Sequence, residues 1–156
     1  MKILLISDSH GKKGNIRRVI KAHGDADMLI HLGDYTLDAD YAMKLFKKET
    51  VVVAGNGDMG SNYPTDRIMT LGQTSIKCLL THGHLYRVKW GLTRLKLAAM
   101  ERQVDVVLYG HTHIPMVDFD RMLFVNPGSL YSGSYGLLTT DGGVPNASIH
   151  NVGDLR

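Results

Sequence analysis

Five apolar runs in this 156-residue chain each end in a short cluster of residues able to bind a divalent cation. The clusters are Asp8-Ser9-His10, Gly33-Asp34, Gly55-Asn56-Gly57-Asp58, His82-Gly83-His84 and Gly110-His111-Thr112-His113. Between them they offer carboxylate, amide and imidazole groups, the O and N donors that suit divalent metals. A single His-x-His carries little information. Five clusters, each placed where a buried strand should surface, describe a metal site assembled from the whole domain.

The pattern between the clusters sets the fold class. Lys2 to Ile6, Met28 to Leu32 and Val51 to Ala54 read as buried strands. Ile16, Val19, Ile20 and His23 recur at helical spacing between the first two, and Leu37, Tyr41, Leu45 and Phe46 between the second and third. Strands alternating with helices imply right-handed crossovers and a largely parallel sheet. In the second half, Arg67 to Leu71 and Thr74 to Thr81 flank a hairpin turn at Gly72-Gln73. Leu92, Leu95 and Ala99 mark a third helix, and Val104 to Tyr109 a further buried strand. From Ile114 onward, the runs 116–119, 122–125, 135–140 and 147–150 predict antiparallel strands. The expected architecture is α/β (α+β), with two sheets packed together in one domain spanning residues 1–156. No internal repeat or interdomain linker interrupts it.

Composition narrows the class further. A hydrophobic content of 44% and a charged content of 21% fit an ordinary globular protein. The opening MKILLISDSH has too short an apolar run for a signal peptide and leads straight into candidate ligands. No stretch reaches the roughly 20 apolar residues that cross a membrane. The single cysteine, Cys78, lies in an apolar run and excludes an internal disulfide, so a cytoplasmic location is expected. A net charge of +3 does not by itself argue for nucleic acid.

Ligands in open α/β sheets collect beyond the carboxyl ends of the strands. Seven candidate ligands (Asp8, His10, Asp34, Asn56, His82, His111 and His113) exceed the needs of one tetrahedral ion. They suit two ions about 3.5–4 Å apart, sharing a bridging carboxylate and a solvent species. Asp34, in a tight Gly-Asp turn, is the expected bridge. With Asp8 and Asp34 as the anions, two divalent ions leave about two positive charges, which suits a phosphate.

The order Asp8-x-His10, Gly33-Asp34, Gly55-Asn56, His82 and Gly110-His111-x-His113 resembles the calcineurin-like metallophosphoesterase superfamily. The short length and the Asn126-Pro127-Gly128-Ser129 segment are similar to its small phosphodiesterase branch. The resemblance spans residues 2 to about 140. It implies a double-sheet sandwich flanked by helices in four layers. It also implies one metal on Asp8, His10, Asp34 and His113, and a second on Asp34, Asn56, His82 and His111. The implied reaction is in-line attack on a phosphodiester by a hydroxide held between the ions. Manganese suits the mixed ligands best, with iron, nickel or zinc as alternatives.

One position departs from that pattern. The family commonly carries His, the proton donor to the leaving group, where this chain has Gly57, so Asp58 lacks the imidazole it would orient. His10 or His84 could substitute. General acid catalysis typically contributes about 10²–10⁴-fold. His84 reads equally as a contact to substrate phosphate or a metal-bound water, or as a turn residue. His23, His31 and His150 read as structural.

Five basic residues fall between Gly11 and Lys21, and five between Tyr86 and Arg102. Solvated helix faces are the plain explanation, and a rim steering an anionic substrate the functional one. Trp90 could stack on a base, but the one tryptophan of a chain is more often a packing residue. The expected partner is a small anionic phosphate ester, with neither membrane nor nucleic acid, and a homo-oligomer is compatible with the sequence. The rival readings are a phosphomonoesterase, a nuclease, or a weakly active or non-catalytic scaffold on the same fold.

Overall fold

The computed structural model describes residues 1–155. Ten strands form two five-stranded sheets, ordered β10-β9-β1-β2-β3 and β4-β5-β6-β8-β7. In the first, β1 (Lys2–Ile6), β2 (Met28–His31) and β3 (Glu49–Val52) run parallel, joined by α1 (Lys13–Ala22) and α2 (Thr36–Phe46). β9 (Ser134–Thr139) returns antiparallel along β1, and β10 (Asn146–Asn151) pairs antiparallel with it. In the second, β5 (Lys77–Thr81), β6 (Val106–Tyr109) and β8 (Met122–Asn126) are parallel, flanked by antiparallel β4 (Asp66–Thr70) and β7 (Met116–Asp120). α3 (Thr93–Glu101) connects β5 to β6. No described helix is long and apolar enough to cross a membrane.

The central strands are apolar throughout because both of their faces are covered. Side chains alternate between faces along a strand, so β1 feeds two cores at once. Ile3 and Leu5 join Ile30, Val51, Leu80, Val106 and Leu108 between the sheets. Leu4 and Ile6 pack outward against Ile16, Val19 and Ile20 of α1 and Phe46 of α2. β6 repeats the scheme, with Val107 and Tyr109 facing Leu95 and Ala99 of α3. The layers are therefore helices, sheet, sheet, helix. Cys78 is buried between the sheets as a structural thiol.

Three sequence expectations need correction. β8 is parallel to β6, not part of a purely antiparallel tail, because the β7–β8 hairpin docks through its second strand. The turn joining β4 to β5 is longer than Gly72-Gln73: it is closed by the Leu71 N–H to Ile76 carbonyl bond, and β5 begins only at Lys77. On α2, Leu37 is 74% exposed and Leu45 is also exposed, whereas Asp38, Ala39, Ala42 and Phe46 are buried. Asp38 turns inward because its Oδ2 accepts from Ser9 Oγ at 2.8 Å and from the Gly11 N–H at 2.7 Å, which rotates the leucines outward.

This difference predicts two contrasting truncations. Leu108→Ala, in the inter-sheet core, should cost about 2–5 kcal/mol in urea denaturation. Leu37→Ala should stay within about 0.5 kcal/mol of the parent. Comparable losses in the two variants would contradict the observed orientation of α2.

Candidate metal centre

The parallel strands of both sheets deliver their carboxyl ends to one edge, and every candidate cluster lies there. Backbone bonds sew the loops together within each sheet. The Asp8 N–H donates to the Gly33 carbonyl at 3.0 Å, and the Gly110 N–H donates to the His82 carbonyl at 3.1 Å. Side chains then tie one sheet to the other. His82 Nδ1 meets the Leu32 carbonyl at 2.7 Å, and the His111 N–H donates to Asp8 Oδ2 at 3.1 Å. The 126–129 turn closes the edge, with Asn126 Nδ2 donating to the Gly110 carbonyl and Ser129 Oγ to the Asp8 carbonyl.

Asp8 is completely buried. Its Oδ2 accepts from Ser7 Oγ at 2.5 Å as well as from His111. Its Oδ1 makes no hydrogen bond among the described residues, yet lies 3.1 Å from His113 Nε2 and 3.9 Å from His82 Nε2. Asp34 Oδ1 sits 3.4 Å from His82 Nε2, and its Oδ2 sits 4.0 Å from His10 Nε2. Two groups of ligand atoms emerge, each within 4.8 Å: Asp8, His10 and His113, and Asp8, Asp34 and His82. Asp8 is common to both groups, where the sequence singles out Asp34. Asp34 nevertheless faces both groups through its two oxygens.

His82 must carry its proton on Nδ1, since the Leu32 carbonyl can only accept. That leaves the Nε2 lone pair aimed at the two carboxylates, the usual way an outer partner orients a metal-binding imidazole. His82 Nε2 and His10 Nε2 are buried without hydrogen-bond partners among the described residues. Burial, with help from His82 and Lys89, lowers the His111 pKa to about 4, and burial and His82 also lower that of His84. Neutral imidazoles are the form a metal requires. Two buried carboxylates facing unpaired imidazole nitrogens are a poor arrangement without a cation between them, and the donor set fits divalent metal.

The backbone supports this reading. Asp8, His10, Asp34, His111 and His113 all adopt left-handed conformations, with φ between 41° and 68°. Such strain costs non-glycine residues energy and gathers at functional sites. Two glycines make the close approach possible. A Cβ on Gly110 would overlap Ser7 Oγ, and one on Gly55 would overlap Asp34 Oδ1.

The remaining sequence candidates lie around this centre. His111 stands outside both three-residue groups, its ring 5.0 Å from that of His82. Asn56 is exposed on the turn after β3, between two glycines that pack on Asp34. Asp58 accepts from the Thr36 N–H at 2.7 Å and the Gly55 N–H at 2.8 Å, so both its oxygens hold loops in place. His84 adjoins His82 and keeps a buried Nδ1 without a hydrogen-bond partner among the described residues.

Sequence reasoning missed Ser7 and the relay behind the site, in which His31 Nε2 meets Ser9 Oγ at 3.2 Å and Ser9 donates to Asp38. Serines on either side of Asp8 were the available signal. His31 is buried and structural as expected, and burial pushes its pKa down to about 4. His23 and His150 cluster with Tyr135. Trp90 is not a packing residue: it is 91% exposed.

The double-sheet fold and this site belong together in one family. The calcineurin-like phosphoesterase superfamily domain matches residues 1–142, and the chain belongs to that superfamily. It is 35% identical over 150 residues to the probable metallophosphoesterase YsnB of Bacillus subtilis, covering 90% of this chain and 85% of that protein. A phosphodiesterase of Methanocaldococcus jannaschii is 29% identical over 146 residues, covering 82% of this chain and 83% of that one. Among solved structures, a predicted phosphoesterase from Streptococcus pneumoniae superposes with a TM-score of 0.81 at 30% identity, over 97% of this chain and 90% of that one.

Filling the close approach tests the construction. Gly110→Ala should lose about 1–3 kcal/mol of stability through overpacking and should also weaken Mn²⁺ binding in a calorimetric titration. Unchanged metal affinity would separate Gly110 from the centre.

Proposed function

We propose that this chain is a phosphodiesterase working with two divalent ions, manganese suiting the ligands best, in a single domain. The observation that carries the reading is the set of unpaired, converging ligand atoms: Asp8 Oδ1, His10 Nε2 and His82 Nε2. Asp8, His10, Asp34 and His113 would hold one ion, and Asp34, Asn56, His82 and His111 the other, with Asp8 close enough to both groups to share. When bound, such ions supply Lewis-acid charge for the phosphoryl oxygens and lower the pKa of a bound water.

The protein's own groups orient and select. Ser7 and the His111 N–H fix one oxygen of Asp8, so the other points into the site. The Gly57 N–H fixes Asp34 at 2.9 Å. His84, on the rim and neutral, can offer one N–H to a phosphoryl oxygen. No side chain at position 57 protonates the departing oxygen, so the site favours esters whose leaving group is already a stable anion.

Elemental analysis after Mn²⁺ reconstitution should approach two ions per chain, and bis-p-nitrophenyl phosphate should be hydrolysed. Asp34→Asn should weaken both sites. A stoichiometry of one would sink the two-ion reading, and inertness under every metal would favour a scaffold.

Position 57 offers a sharper test. Gly57 lies outside the left-handed region, but a Cβ there would meet Asp34 Oδ1 at 3.1 Å, so a side chain is accepted only where Asp34 yields by a few tenths of an ångström, and the metal content of the variant is the first measurement. Gly57→His should then raise alkyl diester turnover by up to about 10²-fold while barely changing aryl diesters. Equal alkyl and aryl rates in the parent would show that another group already supplies the proton.

A further inference from the structure

The chain leaving the metal centre after His84 builds a second feature. Short 3₁₀ turns at His84–Tyr86 and Val88–Trp90, with left-handed Arg87 between them, curl the backbone around a depression of about 290 Å³. Tyr86, Arg87, Trp90, Gly91, Thr93 and Arg94 line it. The Tyr86 hydroxyl donates to Asp66, and Arg102 lies over its ring at 5.9 Å, so this wall is fixed. Trp90, by contrast, presents its indole to solvent.

The charges here are uncompensated. Lys96 pairs with Asp120, and Arg102 sits 3.8 Å from Asp66. Among the described residues, Arg87, Lys89 and Arg94 form no ion pair. The turn that supplies Tyr86 to the depression begins at His84, whose ring lies 5.5 Å from that of His82 and 6.2 Å from that of His111, so the basic rim starts beside the metal centre. A chain with a net charge of only +3 thus gathers, within eight residues, its sole tryptophan and three cations that form no ion pair among the described residues.

We propose that this depression is the subsite for a nucleoside monophosphate unit, and that the substrate is an ester of a nucleoside diphosphate. The base stacks on Trp90, the phosphate of that unit lies between Arg87 and Arg94, and the second phosphorus occupies the metal centre. This assignment rests on the phosphodiesterase reading above. Water oxygen bonds to the second phosphorus, the P–O bond to the bridging oxygen breaks, and the nucleoside monophosphate departs with that oxygen and its electron pair. The water's proton passes to solvent. A phosphate leaving group held by two arginines needs no proton, which is what the glycine at position 57 demands. Guanidinium groups bind phosphate in a bidentate fork, and exposed aromatic rings accept bases of any sequence. One tryptophan in one small depression fits a single nucleotide and not a polynucleotide tract.

Because Trp90 is the only tryptophan, its fluorescence reports the subsite without any need for activity. AMP should quench it saturably, with adenosine and ribose 5-phosphate each binding about tenfold or more weakly. Arg87→Met and Arg94→Met, both at exposed positions, should each weaken AMP by about tenfold with unchanged circular dichroism. With Mn²⁺, the P2-methyl ester of ADP should yield AMP and methyl phosphate, and Trp90→Ala should raise its KM by about tenfold. Absence of quenching by millimolar AMP, or equal quenching by ribose 5-phosphate, would overturn the subsite even if bis-p-nitrophenyl phosphate is cleaved. AMP binding without cleavage of any diester would uphold the subsite and remove the phosphodiesterase reading instead.

Discussion

The buried carboxylate of Asp8 is the constraint around which the rest is arranged. A charge with no solvent exposure has to be met by hydrogen bonds or by a counter-charge. One oxygen takes the first solution, from Ser7 and the His111 backbone. The other is left to the second. This asymmetry fixes where a cation has to sit, and it draws the end of β6 in one sheet onto the end of β1 in the other. The His82 bond to Leu32 does the same from β5 to β2. The two sheets are therefore joined twice, through a large apolar interior and through polar ties at one edge.

Those ties explain the cost accepted in the backbone. Five of the seven candidate ligands sit in left-handed conformations that the sheets around them must sustain. Loops alone would relax. Short connections from strands buried on both faces hold the conformation, and glycines at 55 and 110 remove the atoms that would otherwise collide. Packing, strain and site geometry are thus one problem with one solution.

Much of this was legible from residue order. Apolar runs with no polar alternation indicated strands covered on both faces, and polar clusters at their ends indicated a shared edge. What escaped depended on partners distant in sequence. The buried face of α2 could not be read from Leu37 and Leu45, because Asp38 is drawn inward by Ser9 and Gly11, residues on the loop after β1. The direction of β8 was hidden because a hairpin pattern is identical whichever of its strands docks. That Asp8 belongs to both groups of ligand atoms also depends on tertiary geometry, since each carboxylate has the same local signal. The exposure of Trp90 is not encoded locally either, because the presence of one tryptophan says nothing about what lies over it.

The placement of β9 has a consequence for how the protein comes into being. Asp8 precedes its partners by a long stretch of chain: the strand that covers its own strand on one side is β9, and the amide that steadies its carboxylate lies 103 residues further on. Contacts between remote parts of a chain form late. A growing chain therefore exposes its first ligands long before it can enclose an ion with them. Only once residues 111–129 have closed the edge are the donor atoms around Asp8 held in a fixed geometry.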